Sequence, residues 1–189
     1  MALLRSGGRH QRRPGYRGRP EVTGRLSKRC NARPDHTFGS KAIGDRRWRE
    51  LLDTHDQLAH QLVERHRGSL VKTTGDGVLA TFDGPGRAVH CALAFRLATQ
   101  QIGLPMRAGL HTGEVEIRGK DIGGIAVHVA ARVMTKSDAN EVLVSRVVTD
   151  LVAGTGLKFS GRGSHELKGL PGRWDLFAAS DNSESRRVV

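Results

Sequence analysis

Cysteine is scarce in this chain. Cys30 and Cys91 are the only two, they stand far apart, and no Cys-x-x-Cys pair exists. That indicates neither a disulfide framework nor a zinc site, and a cytoplasmic location fits. Long apolar runs are missing as well: no h-region follows Met1-Ala2-Leu3-Leu4-Arg5 and no stretch is long enough to span a bilayer. Aromatic residues make up 4% of the chain, and Tyr16 is the only one before Phe38. A nucleic-acid reader without stacking aromatics makes only salt-sensitive, nonspecific contacts, so no specific nucleic-acid partner is expected. Acidic residues are lacking over the first forty positions, where Glu21 and Asp35 face ten Lys or Arg, which accounts for eight of the net +12. This stretch is rich in Gly and Pro, without apolar periodicity, and Pro14, Pro20 and Pro34 interrupt it. Residues 1–40 are therefore expected to be a disordered tail with neither helix nor strand, followed by one domain over 41–179 and a second tail over 180–189.

What is present begins at Gly44. Trp48, Leu51, Leu52, Leu58, Leu62 and Val63 recur at three- and four-residue steps. The spacing predicts an amphipathic helix to Arg67, ended by Gly68, with His55 and His66 as solvated helical histidines. Apolar and β-branched residues then flank Asp76-Gly77, the signature of a hairpin with strands near 69–74 and 78–82. Lys72 and Asp76 share that hairpin, so a cation and a carboxylate are held on one rigid element, as phosphate and metal chemistry requires. Further on, the pattern predicts a helix over 87–101 and two strands, 106–111 and 114–118, around a turn at Thr112-Gly113. A small-residue helix over 122–136 follows, then a strand at 142–144, a short helix over 146–152 and closing strands around Lys158, Leu167 and Trp174 to Phe177. This order predicts an α+β, ferredoxin-like fold with helices packed on an antiparallel-rich sheet. Such a sheet ordinarily opens with a strand before the first helix, and the sequence offers no apolar run there.

Five segments in order carry a family resemblance: Gly44-Asp45-Arg46-Arg47-Trp48, Val71 to Gly77, Gly109-Leu110-His111-Thr112-Gly113-Glu114-Val115, Asp121-Ile122-Gly123-Gly124 with Val127 to Arg132, and Glu166-Leu167-Lys168-Gly169. From about Gly44 to Phe177 the chain resembles the class III nucleotidyl cyclases, the adenylate and guanylate cyclase catalytic domains, and bacterial adenylate cyclases most of all. The resemblance implies an enzyme of cyclic AMP signalling, in which the ribose 3′ hydroxyl of ATP attacks the α-phosphorus and pyrophosphate leaves. It implies two divalent cations, Mg²⁺ or Mn²⁺, held by two aspartates, of which Asp76 matches one. Lys72 matches the purine-selecting lysine and Asp121 its partner on the adenine edge, a donor and acceptor set that favours ATP over GTP. Arg132 matches the arginine that stabilises the transition state, and Lys168 a lysine on the triphosphate. His128 stands where many members carry asparagine, and an imidazole also donates a hydrogen bond to the ribose. Taken outside these motifs, His128 and Arg132 are a four-residue helical pair facing solvent. The resemblance also implies a homodimer, with Asp76 of one copy working opposite Lys72, Asp121, His128, Arg132 and Lys168 of the other.

The match is poorest upstream. Family members open with a Phe-x-Asp-Ile strand that supplies the other metal ligand, and the spacing from Gly44-Asp45 puts Ala32 at that aspartate. Pro34 close by cannot donate to a central ladder. Two readings stay open. In one, Asp35 reaches the metals from a rebuilt loop. In the other, the segment is foreign to the domain, the product of an altered frame or misassigned start. One metal ligand and a central strand are then missing, and the chain is a catalytically inactive cyclase-like module that dimerises or binds nucleotide.

Overall fold

A computed structural model describes residues 21–27, 44–74, 77–118 and 121–180, with only the backbone described at 21–27, Thr74, Ile117, Arg118 and Asp121. The elements are β1 (Glu21–Ser27), α1 (Asp45–Arg65), β2 (Gly68–Thr74), β3 (Gly77–Phe82), α2 (Pro85–Gln101), β4 (Arg107–Gly113) and β5 (Glu116–Arg118). They continue with β6 (Asp121–Gly123), α3 (Ile125–Lys136), β7 (Glu141–Ser145), α4 (Arg146–Leu151), β8 (Lys158–Glu166) and β9 (Arg173–Ser180). Seven strands form one sheet in the order β2-β3-β1-β4-β7-β9-β8, while β5 and β6 pair separately. Only β4 and β7 run parallel, so the sheet is antiparallel-rich, as the α+β reading expects.

Period-two alternation sends side chains to both faces of this sheet, and each face has its own core. On one side Val78, Ala80, Phe82, Ala108, Leu110, Val142 and Val144 meet Ala59 and Val63 of α1 and the buried stripe of α2. On the other, Leu143, Leu176 and Ala178 meet Val129 and Val133 of α3.

The largest correction concerns the first forty residues. The expectation of a tail without strand structure fails at Glu21–Ser27, which forms β1 between β3 and β4, pairing antiparallel with both. Periodicity could not reveal it, because what fills this slot is main-chain pairing on both edges. That pairing requires free N–H groups and extended backbone more than apolar side chains. Glu21–Ser27 lies within the proline-free stretch between Pro20 and Pro34. The remainder of residues 1–40, with Cys30, Ala32 and Asp35, and the tail from Asp181 onward lie outside the described residues.

Smaller corrections follow the same logic. Gly68 does not end α1: the helix ends at Arg65, and the left-handed residue is Arg67, at φ 55°. Gly68 opens β2 instead, where a Cβ would stand 2.5 Å from the Phe82 ring. Thr112 and Gly113 lie within β4, so the strand at 116–118 pairs with β6 rather than turning back on β4. Leu167 is a buried residue just past β8, outside any strand. His55 is buried, not solvated. Its Nδ1 lies 2.9 Å from Asp56 Oδ1 and its ring meets Phe95 edge-on at 5.1 Å.

Candidate functional site

Lys72 owes its direction to a break in the β2 register. Leu70 stands opposite Ala80, but Lys72 stands opposite Leu79, so Val71 is an extra residue in a β-bulge. Without the bulge, Lys72 would lie two positions from Leu70 and share its face, toward the core under α1 and α2. With it, Lys72 takes the face of Leu79, which stands outside that core, and it is exposed there.

α3 covers this second face over β1 and β4. Glycine permits the approach: a Cβ on Gly109 would lie 2.2 Å from the Met134 amide nitrogen and 2.5 Å from the Ala130 carbonyl oxygen. A Cβ on Gly113 would lie 3.0 Å from that of Ala126. Val129 and Val133 turn inward, leaving His128 exposed and Arg132 half-buried one turn apart, behind an Ile125 that is 62% exposed. β6, whose first residue is Asp121, touches both β2 and α3.

Lys168 reaches the same side from the other end of the sheet. Leu167, 2% exposed, packs with Val129, Val133 and Leu176, which leaves the next residue, Lys168, exposed beside α3. The connection from β8 to β9 that carries it borders an open cavity of about 530 Å³. Lys72, His128, Arg132 and Lys168 therefore lie on the α3 side of the sheet. Asp76 and Asp35 lie outside the described residues.

Two buried groups have shifted titrations, His111 on the α3 side of the sheet and Cys91 in the core on the other. His111 of β4 shares a hydrogen bond between its Nδ1 and Ser145 Oγ (2.7 Å) and meets Trp174 edge-on at 5.7 Å. Burial pulls its pKa down to about 4, so the ring is neutral near pH 7. Cys91 is buried in α2, and desolvation pushes its thiol up to about 12, which leaves it unreactive. Neither the Val71 bulge nor the His111–Trp174 contact is visible in the sequence, since both depend on which strands lie side by side.

The metal ligands are a separate matter. Among the described residues no group of three or more His, Cys, Asp or Glu could hold a metal ion. β1 places Ser27 beside Gly77 and Leu26 beside Val78, next to the hairpin turn. Its one carboxylate, Glu21, is at the opposite end, in register with Gly113. A hard dication needs oxygen ligands, and a carboxylate above all. The donor set of β1 does not fit the first metal position of a two-ion site.

Comparison with known proteins follows the same lines. The family model described as adenylate and guanylate cyclase catalytic domain matches residues 40–180. "Putative adenylate cyclase 3" of Rhizobium meliloti (strain 1021) is 34% identical over 133 residues, covering 66% of this chain and 22% of that protein. The adenylate cyclase of Streptomyces coelicolor is 33% identical over 97 residues, 50% of this chain and 26% of its own length. This chain thus spans about a quarter or less of either relative. The crystal structure of the adenylyl cyclase CyaB from P. aeruginosa superimposes with a TM-score of 0.73 at 21% identity, over 86% of this chain and 95% of that one, which shows the shared fold. No helix among the described residues is long and apolar enough to cross a membrane.

Proposed function

Because this chain belongs to the adenylate and guanylate cyclase catalytic domain family, we propose that it takes ATP at a homodimer interface and closes it to cyclic AMP and pyrophosphate. The observation that carries this reading is the Val71 bulge, which turns Lys72 out of the core and onto the face where α3 presents His128 and Arg132. In this reading Lys72 and Asp121 read the adenine edge, one donating and one accepting, and select ATP over GTP. Arg132 spreads its planar guanidinium over the charge that develops as the 3′ oxygen attacks the α-phosphorus and the bond to pyrophosphate breaks. His128 donates to the ribose, and Lys168 neutralises the triphosphate. Asp76 is supplied by the other copy.

A second reading is favoured by β1, which has no carboxylate between Val22 and Ser27. The domain then holds ATP without turning it over. Both readings are tested by incubating purified protein with ATP and Mn²⁺ while following thermal unfolding. Cyclic AMP that disappears in Asp76→Ala supports turnover, and output no higher than in that variant ends it. A nucleotide-dependent rise in melting temperature that Lys72→Ala abolishes supports binding. An unfolding curve indifferent to ATP sinks both readings.

A further inference from the structure

Lys168 stands on a connection with little secondary structure of its own. The only backbone hydrogen bond closing it among the described residues runs from the Leu170 amide to the Leu167 carbonyl (3.0 Å). Gly169 and Gly172 lie in the left-handed region at φ 81° and 75°. Such a turn would leave a lysine free to sample many positions, and each ordered rotamer-rich side chain costs affinity unless its support is fixed beforehand. One side-chain tie is present: Trp174 Nε1 donates to the Pro171 carbonyl at 3.1 Å. Trp174 is in turn set against the edge of His111, with the ring planes at 78°, and His111 is anchored to Ser145, the residue that precedes α4. A continuous path runs from the buried centre of β4 through an indole to the backbone of the lysine turn.

We propose that His111 and Trp174 are positioning residues that hold the Lys168 turn in place for the triphosphate. This rests on the reading of Lys168 given above and adds the device that keeps it effective. The imidazole is neutral and buried, so it provides a rigid edge without drawing an anion toward itself. The indole converts that rigidity into one directed hydrogen bond, which fixes where Pro171, and with it Lys168 three residues earlier, can be. No proton moves and no bond is made. The pair acts through Lys168 alone.

A double-mutant cycle separates such an action from general loosening. The probe is 2′-deoxy-3′-O-methylanthraniloyl-ATP with Mn²⁺, whose blocked 3′ oxygen prevents turnover, titrated by fluorescence. Trp174→Phe keeps an aromatic ring against His111 and removes only the N–H. Its affinity is expected to fall about fivefold, the worth of one hydrogen bond. In a Lys168→Ala background the same change is expected to have no further effect, whereas equal losses in both backgrounds would overturn the proposal. His111→Asn, which keeps a polar partner for Ser145, tests the path from its other end and should show the same dependence on Lys168. Thermal unfolding confirms that each variant is folded. If Lys168→Ala weakens binding and neither brace variant does, the brace is refuted while the reading of Lys168 stands. If Lys168→Ala itself changes nothing, the role of that lysine fails and the brace fails with it.

Discussion

At Gly109 a hydrogen stands where any other residue would drive a carbon into the backbone of α3, 2.2 Å from one atom and 2.5 Å from another. Helix backbone cannot yield as a flexible side chain can, so Gly109→Ala must lift α3 from β4. Overpacking of this kind costs about 1–3 kcal/mol, and the upper end is expected here because both obstacles are main chain. Urea unfolding measures the loss, and the variant should also lose nucleotide affinity as His128 and Arg132 move with the helix. His111 gives a pH signature. In the unfolded chain it takes up a proton near 6.5, and in the folded one only near 4. The unfolded state therefore binds more protons within that window. Stability should be full above pH 6.5, decline as pH falls toward 4 and level off below, a loss on the order of 3 kcal/mol from this group. Denaturant midpoints across that range, compared with those of His111→Asn, should show the decline flattened in the variant.

Among the elements, β1 and the β2 bulge matter most. β1 uses both edges of its backbone, so Thr23→Pro, in register with Thr81 on one side and His111 on the other, should cost about 3 kcal/mol or more. A chain in which that change leaves thermal unfolding untouched would not have β1 in its sheet. The same strand offers a gain-of-function test of the second functional reading. Ser27→Asp puts a carboxylate at the position in register with Gly77, and Mn²⁺-dependent cyclic AMP should then rise above the output of the unaltered protein. These elements also show what periodicity can and cannot reveal. α1 and α2 were legible because an apolar stripe repeats every third or fourth residue, and the β2–β3 hairpin because Asp-Gly is flanked by strand formers. β1 was not, because its place is set by two neighbours 50 or more residues further along the chain. The bulge at Val71 was not either, because a register slip leaves no mark in composition.

For the whole molecule, the proposed function makes the site incomplete in one copy, because it sets Asp76 of one subunit opposite Lys72, Arg132 and Lys168 of the other. Activity per molecule should therefore fall on dilution toward the dimer dissociation range, and sedimentation in the presence of a nonhydrolysable ATP analogue should show a two-subunit species. A specific activity independent of concentration, in a monomer, would contradict that arrangement.

By itself the sequence determined the family, the α+β class and most element positions. These are local patterns: stripes, turn pairs and ordered short motifs read directly along the chain. Only the tertiary structure decided that Glu21–Ser27 fills the centre of the sheet, that Lys72 emerges on the α3 face, and that His111 is buried with its ring edge-on to Trp174. Each of these depends on which distant strands lie side by side, and hence on backbone pairing and burial, which no single stretch of residues encodes.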